Sequence, residues 1–206
     1  MSEIPNQIEL KSLILSDKRI SVISFWAFTF ALLMAIGAQI EIPNEPVPFT
    51  MQTFFVFLAG AFLGKRGAVI SMGFYLIMGA SGLPVFSGGA FGLAKILGPT
   101  GGYLLSFPVA AFAIGYLTRV RSEYWWILLS MCIGSFIIFS LGTLQLNFLY
   151  FHNWTNSLQA GFLLFSWWDG VKIIGAATIA YTYFQKIKNL NQSIESMNDK
   201  HISNPG

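Results

Sequence analysis

Between Tyr124 and Trp168 the chain carries no Asp, Glu, Lys or Arg, and between Ile20 and Ile40 it again carries none. Uncharged apolar runs of this length restrict the fold, because in lipid the backbone must satisfy its own hydrogen bonds as helix or closed barrel. A spanning helix needs about 20 apolar residues. The first run meets that requirement once. The second is too long for one helix and is broken by the polar stretch 147–156. Only 10% of the residues are charged, against about 25% in a soluble domain, so this chain cannot cover itself for water. The expected class is an all-α integral membrane protein, a single membrane domain over 1–206. It divides into a cytoplasmic lead-in (1–19), a transmembrane core (20–185) and a loose cytoplasmic tail (186–206).

Charges and helix breakers split the core into six expected spans: 20–40, 49–64, 68–81, 101–117, 124–146 and 157–185. Pro43, Pro46 and Pro48 exclude helix between the first two. Lys65-Arg66-Gly67 is a tight turn, and a second charged turn runs from Arg119 to Glu123. Orientation follows from lysine and arginine in the short loops. With the N-terminus inside, Lys11, Lys18, Arg19, Lys65, Arg66, Arg119, Arg121, Lys186, Lys188 and Lys200 are cytoplasmic, and only Lys95 is outside. Both termini are then cytoplasmic. Loops 41–48, 84–98 and 147–156 lie on the outer face.

Seven of the twenty glycines fall from Gly82 to Gly102, with Pro84 and Pro99 among them. That density excludes one regular helix. Non-helical backbone near a membrane is tolerated where protein buries it or where it lines a wet cavity. The stretch is therefore expected to be a re-entrant-like loop folded over a site, with Lys95 the only charge from Gly67 to Thr118.

Asp169 and Lys172 are the only charges inside an expected span. Their spacing puts them on one helix face. A charge at the bilayer centre costs roughly 2.5–3.5 kcal/mol on insertion scales and faces a cavity or a partner. Two readings stay open: a self-satisfied ion pair, or a ligand site. Aspartate accepts from N–H groups and lysine donates to a carboxylate, so the pair suits a ligand carrying both. Trp167 and Trp168 offer a flat wall or simple packing. Lys95 is a second carboxylate partner or a solvated loop lysine. Thr50, Gln52 and Thr53 stand at a helix start with free backbone N–H groups, with Gln39 nearby. Thr50 serves there as a ligand contact or as an ordinary cap. Ala27, Ala31 and Ala35 form a small-residue stripe that lets another helix approach, from a partner chain or from this one.

Other signals are missing. No phosphate-binding glycine loop precedes a Lys-Ser or Lys-Thr, so ATP hydrolysis by this chain is not expected. His152 and His201 lack metal-ligand neighbours, and no metal or cofactor is expected. The intramembrane serines have no histidine in a span. Nothing resembles a nucleic-acid surface. Cys132, the single cysteine, is expected to be a small packed side chain.

Three blocks carry a resemblance. They are Ile42-Pro43 with Val47-Pro48-Phe49-Thr50-Met51-Gln52-Thr53; Gly82-Leu83-Pro84-Val85-Phe86 with Gly98-Pro99-Thr100-Gly101-Gly102-Tyr103; and Asp169-x-x-Lys172. In this order and spacing they resemble the BioY family, the biotin-capturing membrane components of energy-coupling-factor vitamin transporters. The resemblance spans roughly residues 35–172. It implies six membrane helices in a bacterial-type cytoplasmic membrane, and biotin held near the outer face by Asp169 and Lys172. It also implies roles for Lys95, Ser87, Gln52, Thr50 and Tyr103 around the ligand. Partners would be a transmembrane coupling protein, docked on Ala27, Ala31 and Ala35, and two ATPase subunits on separate chains. The chain would not be an enzyme. The alternatives are capture of another vitamin, such as thiamine or riboflavin, an intramembrane enzyme, and a structural subunit with no ligand.

Overall fold

The computed structural model describes the backbone from residue 7 to residue 203, and the side chains of residues 21–162 and 168–195. Helix α1 (Gln7–Gln39) leads into a short antiparallel pair, β1 (Glu41–Ile42) and β2 (Phe49–Thr50). Helix α2 (Gln52–Ala80), the short α3 (Leu93–Leu97), α4 (Gly101–Leu117) and α5 (Tyr124–Leu146) follow. The last part contains α6 (Trp154–Leu158) between two π turns, then α7 (Leu164–Ser203).

Helices α4 and α5 have the bounds expected from sequence. The second and third expected spans form one assigned helix, α2, broken at Gly64, where φ 66° and ψ 179° leave helical space. A positive φ of this kind is open to glycine and strained for other residues. The break therefore falls just before Lys65-Arg66-Gly67 rather than within it. Two expectations differ at the ends of the chain. The lead-in, where a short helix near residues 8–15 is expected, is helical from Gln7 and continuous with the first span, and the tail expected to be loose continues α7 to Ser203. Among the described residues, three helices are long and apolar enough to cross a membrane: Ser21–Gln39, Gln52–Ala80 and Tyr124–Phe151. Gly101–Leu117 is a shorter apolar helix.

Helix α2 is the centre of the bundle, packed against α1, α4 and α7, while α5 packs against α4 and α7. Small buried residues mark these contacts: Ala59 and Ala61 on α2, Ala110 and Ala111 on α4, and Ala176, Ala177 and Ala180 on α7. Small side chains let helix backbones approach closely. The same holds on α1. Ala27 and Ala31 are wholly buried in the chain's own interior, and Ala35 packs partly buried against the core. The stripe is thus packed within this chain, Ala35 least completely. Residues such as Phe25, Ile36, Phe112, Trp125, Phe136 and Ile174 stay exposed around the bundle. So does Cys132, which is on the surface of α5 and not packed as expected. An apolar exterior this extensive fits lipid as the surrounding solvent.

The glycine-rich stretch is folded back onto the end of α2. Gly92 N–H donates to Gly79 O at 2.7 Å and Leu83 N–H to Met78 O at 3.1 Å, which satisfies the last carbonyls of that helix. Phe86 is fully buried and meets Tyr75 edge-on, ring centroids 5.5 Å apart. Its ring occupies the space a side chain at Gly79 would need, since a Cβ there would stand 2.0 Å from the ring. Gln39 holds the loop from α1: its amide donates to Phe86 O at 3.0 Å and accepts from Gly89 N–H at 3.1 Å. Gln145 on α5 donates to Gly98 O at 2.8 Å and Ile96 O at 3.2 Å. Gly79→Ala is expected to lower stability in detergent by about 1–3 kcal/mol, the usual cost of overpacking. A depressed thermal midpoint reads this out, and the effect should shrink in a Phe86→Leu background, where the ring is gone.

Candidate functional site

The three motif blocks, distant in sequence, meet at one end of the bundle. Asp169 and Lys172 project from α7, pair with each other, and are 1% and 7% exposed. Among the described residues this is the only ion pair. Two charges this deep persist only when further hydrogen bonds satisfy them, and the start of α2 supplies those bonds. Thr53 Oγ1 donates to Asp169 Oδ1 at 2.8 Å and accepts from Lys172 Nζ at 2.7 Å. Lys172 also donates to Thr50 O at 3.0 Å. From α5, Ser135 Oγ donates to Asp169 Oδ2 at 3.2 Å.

Counting donors and acceptors separates the two charges. The three N–H donors of Lys172 meet Asp169, Thr53 and Thr50. A carboxylate offers about four acceptor positions, and Asp169 uses three, toward Lys172, Thr53 and Ser135. Asp169 therefore keeps capacity for one more donor. Lys172 would have to exchange a partner to meet an anion.

Beside this pair lies a cavity of about 50 Å³. All seven residues expected around a ligand line it: Thr50, Gln52, Ser87, Lys95, Tyr103, Asp169 and Lys172. Val47, Pro48, Leu104, Phe107, Ile138 and Phe139 give it apolar walls. The Pro-rich loop after α1 supplies Val47 and Pro48, β2 supplies Thr50, the start of α2 supplies Gln52 and Thr53, the glycine-rich stretch supplies Ser87, Lys95 and Thr100, and α4, α5 and α7 supply the rest.

The lining residues are not equally free. Gln52 donates to the Tyr75 hydroxyl at 2.6 Å and accepts from the Thr50 hydroxyl at 2.9 Å. The Tyr75 hydroxyl in turn donates to Val85 O at 3.1 Å, which ties the helix start to the glycine-rich loop. Tyr103 donates to Gly161 O at 2.8 Å. The lining side chains of Thr50, Gln52 and Tyr103 are thus engaged with the protein. Lys95 is half-buried on α3, and its side-chain amine makes no hydrogen bond or ion pair among the described residues. Thr100 Oγ1 is buried without a partner and lines the same cavity.

Sequence reasoning missed two of these groups as site residues. Thr100 stands inside the Gly-Pro-Thr block, and its placement before a helix is a local signal. Ser135 is one of several serines in α5, and only packing against α7 singles it out. Trp168 is partly buried and is not among the lining residues. The side chain of Trp167 lies outside the described residues.

The pair itself is testable through stability. Removing one partner strands a buried charge, which costs about 3–5 kcal/mol, whereas replacing both is far milder. Lys172→Ala and Asp169→Ala should each lower the unfolding midpoint in detergent more than the double variant Asp169→Asn/Lys172→Gln does. Ser135→Ala should cost about 1 kcal/mol, the value of one hydrogen bond.

Comparisons with known proteins place the chain in a family. The model of the BioY family matches residues 14–189. The biotin transporter BioY of Thermotoga maritima is 44% identical over 151 residues, covering 73% of this chain and 89% of that protein. The biotin transporter BioY2 of Lactococcus lactis is 30% identical over 163 residues, covering 79% and 90%. Among solved structures, the S-component for biotin from an ECF-type ABC transporter superposes with a TM-score of 0.73 at 25% identity, over 89% of this chain and 95% of that one. With a buried charge pair, two folded loops and most of its length matched, this multi-pass membrane chain belongs to the BioY family.

Proposed function

We propose that the chain captures biotin at the cavity beside Asp169 and Lys172 and passes it inward with a separate energy-coupling module. One observation carries this reading. A buried carboxylate with spare acceptor capacity, an unpartnered lysine and an orphaned hydroxyl converge on one small, largely apolar cavity. Biotin presents the complementary groups: a ureido ring with two N–H donors and a carbonyl, an apolar bicycle and chain, and a terminal carboxylate. The ureido N–H meets Asp169, and Thr100 donates to an acceptor on the ligand. Phe107, Ile138 and Phe139 cover the bicycle. Lys95 is the better partner for the carboxylate, because the three donors of Lys172 already have protein acceptors.

The cavity of about 50 Å³ is far smaller than biotin requires; an apolar cavity of about 150 Å³ accepts only a benzene-sized guest. Entry therefore separates the Pro-rich loop from the glycine-rich loop, and the two close again over the ligand. Lys95 rides on the second of these and so joins the site as it closes. In this proposal the chain has six spans, both termini in the cytoplasm of a bacterial-type cell, and both loops on the outer face of the cytoplasmic membrane. The lysine and arginine asymmetry of the loops supports that orientation. A transmembrane coupling protein and two ATPase subunits complete the transporter, and the chain itself works as a carrier rather than an enzyme.

Equilibrium binding of biotin to the purified chain in detergent tests the proposal. Wild type should bind tightly. Asp169→Asn and Lys95→Ala should each lose about 1–3 kcal/mol of binding free energy, the cost of an unpaired polar group. Lys95→Ala should leave the unfolding midpoint near that of wild type, because its amine has no partner in the protein. Binding of thiamine or riboflavin in place of biotin would retain the fold and refute the ligand. Undiminished biotin binding by Asp169→Asn would remove the site from α7.

A further inference from the structure

At the far end of α4 from this cavity, two grooves share a wall. One, about 490 Å³, lies between the turn after α4 and the later part of α7. Its polar side is Thr118, Arg119, Ser122, Lys188 and Asn191. The other, about 250 Å³, is formed by Trp26, Phe30, Phe62, Leu63 and Tyr183, with no charged side chain. Phe62 and Tyr183 line both grooves and meet edge-on, ring centroids 4.9 Å apart.

The cations of the first groove have no acidic partner. Arg119 and Lys188 make no ion pair among the described residues, and Glu123 in the same turn pairs with neither. Arg119 is placed by packing: a Cβ at Gly64 would stand 2.6 Å from its Nε. Aromatic and cationic side chains crowd this end of the bundle. Lys65 Nζ lies 5.3 Å from the Tyr116 ring centre and the Arg121 guanidinium 5.4 Å from that of Trp126. Tryptophan, tyrosine and basic residues gather in this way at the level of lipid headgroups. Basic pockets between membrane helices are suited to anionic headgroups.

We propose that the two grooves together bind one anionic phospholipid. The phosphate sits between Arg119 and Lys188, with Ser122 and Asn191 available to the headgroup oxygens. One acyl chain continues past Phe62 and Tyr183 into the groove lined by Trp26, Phe30 and Leu63. The change from cationic and polar to wholly apolar across a shared wall is the division of chemistry within a phospholipid. The site is independent of the biotin cavity and rests only on the chain being a membrane protein.

Native mass spectrometry of the full chain in an uncharged detergent tests this, with phosphatidylglycerol, phosphatidylcholine and glycerol phosphate as separate probes. Phosphatidylglycerol should bind at least about tenfold tighter than phosphatidylcholine. The double variant Arg119→Gln/Lys188→Gln should lose about 10–30-fold of that affinity, since each basic residue near an anionic surface contributes about 1 kcal/mol. Lys65→Gln/Arg66→Gln removes the same charge at the same end and should change binding less than about twofold. Leu63→Trp, which fills the apolar groove, should weaken lipid binding without altering charge. If Arg119→Gln does not fold, Lys188→Gln alone on the exposed face of α7 should still lose several-fold. Equal loss in both double variants would reveal a diffuse field and overturn the site. So would glycerol phosphate binding as tightly as the lipid, undiminished lipid binding by Leu63→Trp, or occupancy by copurifying protein in place of lipid.

Discussion

The bond network around Thr53 is what the rest of the site depends on. A single hydroxyl donates to Asp169 and accepts from Lys172, and so joins the start of α2 to α7. Two charges in a medium without water need such partners, because the attraction between them does not by itself repay their desolvation. Ser135 brings α5 into the network, and the carbonyl of Thr50 brings in the end of the hairpin strand. Three helices and one loop are thereby held in register at one end of the bundle. The helices elsewhere pack through small residues and carry no further ion pair among the described residues.

This arrangement divides the cavity wall between long helices and a loop. The ion pair, Thr53 and Ser135 stand on long helices. Lys95 stands on a five-residue helix within a loop anchored by Phe86, Gln39 and Gln145. The anchors fix the two ends of that loop and leave the lysine amine without an acceptor among the described residues. Asp169 thus stands on a long helix and Lys95 on a short one, and both line the same cavity.

Much of this was legible in the residues. Uncharged runs and breakers located α4 and α5, and Asp169 and Lys172 stood out because charge inside a span is costly. The glycine-rich stretch announced a fold that is not a plain helix, and the seven residues expected around a ligand are all among those that line the cavity. The small-residue stripe on α1 shows the limit. Ala27, Ala31 and Ala35 mark a helix that will be approached closely, but spacing carries no record of which helix approaches. Within this chain Ala27 and Ala31 are buried and Ala35 is partly so. The helical tail was likewise obscured, since the polar residues after Lys186 read as loose until α7 is seen to run through them.

Local chemistry along the chain thus determined the solvent, the helix positions and the residue types capable of meeting a ligand. Each follows from the free energy of placing a side chain or a peptide group in lipid. Tertiary structure alone decided which of those residues are already satisfied. Thr50, Gln52 and Tyr103 spend their polar groups on the protein, while Lys95 and Thr100 do not. Ser135, silent in the sequence, becomes a donor to Asp169. Hydrogen bonding between distant segments depends on distances of a few tenths of an ångström, and those are set by how helices pack, not by the order of residues along any one of them.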